Sequence, residues 1–261
     1  MRTLAMSRLV ILGATGSLGR HVLRQALAAG HRVTVFVRTP SQLSAQVEGR
    51  IRVHQGDLAS VKPAELASVI AEHDGLINCA GNVADGARFV NLVDRVVTSI
   101  ESLRPADQPV SWFMAGAALL DIDASGRRGV ELPKVRSTYW PHRVNLERLE
   151  RSSFDWRLLC PGPMVDQPPL GLGRLRISVD RLPVDVPAFT RALPGPVLLP
   201  IFGSLIPQMI VPYADAAALM ISNLDRGNAM ARRRVGLALP VGMRGHKPQW
   251  TARSREKVPT E

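Results

Sequence analysis

The chain is short of several residue types that would define a chemistry. Two cysteines, Cys79 and Cys160, lie 81 residues apart in a sequence of 261. That number excludes a disulfide framework and a cysteine-based zinc site. A reducing, cytoplasmic setting is the expectation. Lysine is scarce: Lys62, Lys134, Lys247 and Lys257 are four of 33 basic residues, so arginine carries most of the formal charge of +11. Long apolar runs are also missing. The N-terminal run in MRTLAMSRLVILG has no small-residue cleavage site after it and leads into a glycine-rich turn, the pattern of a buried first strand. Residues 192–214 carry no charge, and length alone would let them cross a bilayer. Pro194, Pro196, Pro200, Pro207 and Pro212 argue against that, because each removes a backbone donor and hydrocarbon cannot satisfy the carbonyls set free. A Pro-broken apolar lid or substrate wall is expected there, and a membrane partner is not.

What is present suits one large domain. Hydrophobic residues make up 46 % of the sequence, ample for a core. The charge is uneven. Residues 226–261 hold nine basic groups against Glu256 and Glu261, a net +7, while the remaining 225 residues net only +4. Such a tail is a solvated end or a contact for an anionic or protein partner. No recognition-helix pattern accompanies it, so direct nucleic-acid binding is not expected.

Short apolar runs at residues 8–12, 32–37, 50–54, 76–79, 110–114 and 156–160 read as strands, with a final one at 234–239. Helical spacing falls between them at 18–29, 63–72, 89–103, 144–151 and 215–223. Alternation at this spacing predicts an α/β fold: a Rossmann-type doubly wound parallel sheet, covered on both faces, with an irregular Pro-rich C-terminal cap. Residues 1–165 are read as the nucleotide-binding part, 166–240 as the substrate-side cap with the closing helix and strand of the same domain, and 241–261 as a flexible basic tail.

The strongest local signal is Gly13-Ala14-Thr15-Gly16-Ser17-Leu18-Gly19, between the first strand and first helix. Small residues are needed there. Gly13 allows a sharp turn, Gly16 lets a diphosphate approach the backbone, and Gly19 lets the helix pack close to the sheet. The helix N-terminus adds N–H groups and a positive dipole end. This turn in this context predicts dinucleotide binding.

The Gly-x-x-Gly-x-x-Gly spacing resembles the short-chain dehydrogenase/reductase superfamily in its extended and atypical branches. Gly56-Asp57-Leu58 looks like that family's segment after the third strand, whose Asp caps the adenine amino group. Asn78-Cys79-Ala80-Gly81, followed by Asn82, looks like its Asn-Asn-Ala-Gly segment beneath the adenosine. SSFDWRLLCPG at 152–162 looks like the atypical branch's Asp-Trp…Arg-Pro-Gly strand. The closest likeness is to the NAD(P)H-binding group that includes NmrA-like proteins and the flavin/biliverdin reductases. His142 and the run Val165-Asp166-Gln167-Pro168 are similar to the latter.

An NAD binder places an acidic residue at the end of the second strand to hold the ribose 2′-OH. Here that position is Arg38, and no Asp or Glu follows until Glu48. A guanidinium suits a 2′-phosphate, which predicts NADP(H) over NAD(H). The catalytic slots depart from the family. Its Ser near the end of the fifth strand is replaced by Gly116. Its Tyr-x-x-x-Lys pair has two registers here: Tyr139 with Arg143, or Thr138 with His142. Reading Pro141 as the first helical residue leaves Tyr139 just outside the helix at the mouth of the site and favours His142, which can donate and accept near neutral pH. The remaining histidines show no metal-ligand spacing.

Two functions follow. One is an oxidoreductase of the atypical group that passes a hydride to a small apolar acceptor under the Pro-rich segment, with His142 or Tyr139 assisting. The other is a non-catalytic NAD(P)H sensor or assembly factor, motivated by the missing Ser and Lys, with a protein partner on the tail or cap.

Overall fold

The structure, a computed structural model, describes residues 6–43 and 49–248. Glu48 and residues 249–261, with the last basic groups of the tail, lie outside the described residues. The strands are β1 (Arg8–Leu12), β2 (Arg32–Val37), β3 (Ile51–Gln55), β4 (Gly75–Asn78), β5 (Val110–Met114), β6 (Trp156–Pro161), β7 (Met164–Val165), β8 (Arg176–Val179), β9 (Val211–Pro212) and β10 (Arg233–Ala238). The helices are α1 (Gly19–Ala28), α2 (Pro63–Ile70), α3 (Ala87–Glu101), α4 (Val135–Glu150), α5 (Gly195–Leu205) and α6 (Tyr213–Ile221). Eight strands form one sheet in the order β3-β2-β1-β4-β5-β6-β10-β8, and β7 pairs with β9 in a small second sheet. All pairings in the large sheet are parallel except β8 against β10.

β1 shows why the sheet is covered on both faces. Leu9, Val10, Ile11 and Leu12 are all buried. Val10 and Leu12 join one core with residues of α2, α3, α4 and α5, while Leu9 and Ile11 join a second with α1 and α6. The period of two in a strand produces that division, and a strand apolar at every position needs both layers. The strand order reverses about β1, which has β2 on one side and β4 on the other. In such sheets ligands bind in the crevice beyond the carboxyl ends of the strands at the reversal.

Two helices differ from expectation. α4 begins at Val135, so Pro141 lies inside it and Tyr139 is helical, not outside. Pro141 forfeits one i→i−4 bond, but buried Leu146 and Leu149 hold the helix. The Pro-rich segment is also more regular than a Pro-broken lid: α5 places Pro196 in its first turn and tolerates Pro200 inside, with Leu198, Phe202 and Leu205 buried. Among the described residues no helix is long and apolar enough to cross a membrane.

Two buried charges tie the late elements to the early ones. The Arg157 side chain, wholly buried, donates to the carbonyls of Asn223 and Asp225 and to the Asp155 carboxylate. Asp215 in α6 accepts from the amides of Leu170 (2.8 Å) and Gly171 (2.9 Å) and is wholly buried. An Asp215→Ala change leaves both amides without that acceptor. It is expected to lower the unfolding free energy by about 2–4 kcal/mol, read from urea denaturation.

Candidate functional site

A cavity of about 1570 Å³ opens over the carboxyl ends of the strands. That exceeds the range usual for one drug-sized ligand, about 300–1,000 Å³, and leaves room for a cofactor beside a second molecule. Its floor is the turn between β1 and α1. Gly13 has φ +76°, and a Cβ there would lie 2.7 Å from the Ala80 amide nitrogen, so both conformation and space demand glycine. A Cβ on Gly19 would collide with the Gly13 carbonyl oxygen. Gly19 therefore makes room for the turn itself, more than for the sheet. Thr15, Gly16 and Ser17 are exposed to the cavity. The Gly16 amide donates back to Gly13 (3.1 Å), while those of Ser17 and Leu18 donate to no backbone carbonyl among the described residues. The first turn of α1 holds no acidic residue of its own. This cradle of uncommitted amides at a helix N-terminus fits a diphosphate.

The cavity gathers the predicted cofactor residues. Gly13, Thr15, Gly16, Ser17, Leu18, Arg38, Asp57, Leu58, Ala80, Gly81 and Asn82 all line it, while Gly19 stands behind the turn. Arg38 is exposed, and its guanidinium makes no hydrogen bond or ion pair among the described residues. Some groups are already engaged locally. Asp57 accepts from the Ala59 amide (2.9 Å), Asn78 from Ala80 and Asn82 from Ala84 (both 3.0 Å), which shapes the wall. Cys79 also lines the cavity, but burial pushes its thiol up to about 12, so it offers no thiolate.

At the opposite end, Gly116 follows β5 and faces α4. A Cβ built on Gly116 would sit 3.6 Å from His142 Cδ2 and Nε2 and 3.8 Å from Tyr139 Cε1. The place of the family serine is thus a glycine directly against both candidate residues. The rings of Tyr139 and His142 stack, with centroids 5.9 Å apart and planes at 20°. Neither register of the pair is complete. Arg143 reaches away to Glu147 (2.8 Å), and Thr138 bonds the Lys134 carbonyl (3.4 Å); neither lines the cavity. The structure brings together one residue of each register, three apart on the helix.

Burial sets the charge state of His142. The residue is only 7 % exposed, its ring is packed edge-on against Phe89, and its pKa is lowered to about 4. Near neutral pH it is therefore a neutral imidazole and does not cycle its charge. Its Nδ1 is buried without a hydrogen-bond partner among the described residues. A lone pair tolerates that position better than an N–H, which places the proton on Nε2, the atom toward Gly116. Tyr139 is raised by burial, so it stays a phenol. The pair offers hydrogen-bonding groups to the cavity.

This burial links stability to pH. The unfolded chain protonates His142 near pH 6.5 and the folded chain only near 4. Stability is full above the first value and is lost as pH falls toward the second. At pH 5 His142 is expected to cost about 2 kcal/mol. His21, His31 and His73, all lowered chiefly by burial, act with the same sign. Urea midpoints at pH 7.5 and 5 in wild type and His142→Gln check it; an equally steep loss in the variant contradicts the assignment.

Several lining residues escape the sequence reading. Arg88, Asn91, Leu92 and Arg95 form a stripe of α3 at i, i+3, i+4 and i+7 that faces the cavity, beside the apolar stripe of Val93, Val96, Val97 and Ile100 that faces the core. The spacing was visible; only the core stripe announces itself by hydropathy. Leu199, Phe202 and Ile206 wall the cavity from the Pro-rich segment, and Lys247 reaches it from the tail.

Fold and site together define a Rossmann-type dinucleotide-binding protein. A family profile described as NAD(P)H-binding matches residues 13–191. The chain belongs to that NAD(P)H-binding family, in keeping with the resemblance read from Gly13–Gly19, and its cofactor is a nicotinamide dinucleotide. It is 28 % identical over 163 residues to the uncharacterized protein YwnB of Bacillus subtilis, an alignment covering 60 % of this chain and 72 % of that one. The fold is similar to a Rossmann-fold NAD(P)-binding family protein from Shigella flexneri: TM-score 0.61 and 18 % identity over 93 % of this chain and 98 % of that one. It is also similar to ChuY, an anaerobillin reductase from Escherichia coli O157:H7: TM-score 0.60 and 16 % identity over 90 % and 98 %.

Proposed function

We propose that the protein is an NADP(H)-dependent oxidoreductase acting on a small, fairly apolar acceptor. The observation that carries this reading is one continuous cavity. It joins the phosphate-binding turn to an apolar pocket walled by Met114, Leu199, Phe202 and Ile206, with Tyr139 and His142 at the junction. Membership of the NAD(P)H-binding family and the fold shared with a reductase support it. The bound dinucleotide supplies a hydride. The Gly13–Gly19 turn and the start of α1 hold its diphosphate, and Arg38 favours a 2′-phosphate. The His142 Nε2–H and the Tyr139 hydroxyl hold polar atoms of the ligands in register, and the α5 wall excludes water. Two cysteines that form no disulfide fit a reducing, cytoplasmic setting.

Stopped-flow oxidation of NADPH against quinone, flavin and carbonyl acceptors tests the reading. Turnover with at least one class is expected, and its loss from His142→Leu. The second reading, a non-catalytic NAD(P)H sensor, is favoured by Gly116 in the serine slot and by Arg143 turned to Glu147. It expects tight NADPH binding with no oxidation by any acceptor. Gly116→Ser is informative either way. The backbone there is extended (φ −136°, ψ 157°) and the new Cβ meets only ordinary contacts. The variant is expected to keep its unfolding free energy within about 0.5 kcal/mol, read by urea denaturation, while placing a hydroxyl beside His142.

A further inference from the structure

We infer that Arg95 of α3 is a base-recognition residue of the cavity. Its guanidinium, as donor, and the Asp57 carboxylate, as acceptor, read the adenine edge of the bound dinucleotide. The inference rests on the dinucleotide-binding reading above and adds a specificity residue to it. Asp57 opens a turn that follows β3, in which the Ser60 and Val61 amides both donate to the Asp57 carbonyl (3.0 and 2.8 Å). Arg95 reaches across from α3 and donates through Nη1 to the Val61 carbonyl at the end of that turn (2.6 Å). The two side chains are thereby tied to one short piece of backbone, and both line the cavity.

Asp57 and Arg95 nevertheless form no ion pair with each other, and neither has a charged partner among the described residues. Arg95 is half-buried, and its Nε is buried without a hydrogen-bond partner among the described residues. A guanidinium is a donor only, and the Val61 carbonyl occupies one of its N–H groups. Asp57 accepts from the Ala59 amide through Oδ1, while its Oδ2 makes no hydrogen bond among the described residues. Leu58, next to Asp57, and Leu92, one helical turn before Arg95, line the cavity with them. An acceptor and a donor held apart among apolar side chains suit a flat base that presents a donor and an acceptor side by side. Adenine does so: its 6-amino group donates and its N1 accepts. A phosphate fits poorly, because it offers Asp57 no donor and is repelled by the carboxylate charge. Arg38, on the segment after β2, remains for that group.

The test titrates NADH, NADPH and reduced nicotinamide hypoxanthine dinucleotide by ligand fluorescence into the full chain as wild type, Arg95→Met and Arg95→Lys. Hypoxanthine carries a carbonyl in place of the amino group and N1–H in place of N1. It reverses both hydrogen bonds and leaves the ribose, diphosphate and nicotinamide unchanged. Wild type is expected to bind the hypoxanthine analogue at least about tenfold more weakly than NADH. Arg95→Met is expected to weaken NADH and NADPH by about tenfold and the analogue little, so that most of the discrimination disappears. Arg95→Lys keeps a donor for Val61 and loses the planar fork; it should show the same shift and unfold at the wild-type urea midpoint. Equal wild-type affinities for NADH and the analogue overturn the inference while leaving the dinucleotide reading intact, and so does an unchanged NADH affinity in Arg95→Met. An equal loss of NADH and the analogue in the variants overturns it in favour of a strut beneath Val61. A loss confined to NADPH overturns it by moving Arg95 to the 2′-phosphate. If wild type binds none of the three, the dinucleotide reading itself falls and takes the inference with it.

Discussion

A Gly19→Ala variant is expected to lose nucleotide binding by more than about a hundredfold and to unfold several kcal/mol more easily. The added Cβ falls on the Gly13 carbonyl oxygen, a backbone atom with no rotamer to escape into. Gly13 cannot retreat, because its own Cα faces the backbone of Cys79 and Ala80 at the end of β4. The whole turn must then lift, and with it the amides of Ser17 and Leu18 that form the anion cradle. Calorimetric titration of NADPH together with a urea melt reads both effects. A variant that binds NADPH as wild type does would show the turn to be softer than its packing indicates.

Arg38→Ala is the second large effect, and it is selective. Arg38 directly follows β2 on the cavity rim, and its guanidinium has no partner among the described residues to restrain it. A charge-assisted pair with a 2′-phosphate is usually lost at a cost of about 10- to 100-fold in affinity. Wild type should bind NADPH more tightly than NADH, and the variant should bind the two about equally, with NADH affinity unmoved. Equal affinities in wild type remove the NADP preference. A parallel loss of both nucleotides in Arg38→Ala assigns the residue to the fold instead.

The half of the sheet that carries the proposed cofactor site was legible because the central strands β1 and β4 are short apolar runs that lead into glycine-bearing turns. β1 runs into Gly13, β4 into Ala80-Gly81, and each was readable to within a residue or two. The misreadings cluster at proline. Pro141 looks like a helix start and Pro196 and Pro200 like helix breakers, because sequence rules score the lost hydrogen bond alone. They do not score burial of Leu146 and Leu149, or of Leu198, Phe202 and Leu205, which outweighs it. β8 was missed because Arg-Ile-Ser-Val is short and sits on an edge, where pairing to β10 is all that marks it. For the site, the vacant serine position at Gly116 was visible in the sequence. The neutral state of His142 was not, since its burial depends on Phe89 arriving from α3.

The sheet order has a consequence for how the protein is made. β10 inserts beside β6 only after the chain has travelled through β7, β8, β9, α5 and α6. During synthesis the phosphate cradle emerges first, while the α5 wall, the β6 edge strand's partner and the Lys247 segment emerge last. Until β10 arrives, β6 is an open parallel edge, the kind of surface that pairs with other chains. The dinucleotide site proposed above is built from the early half, so a bound dinucleotide would hold that half together while the long closure of β10 is completed.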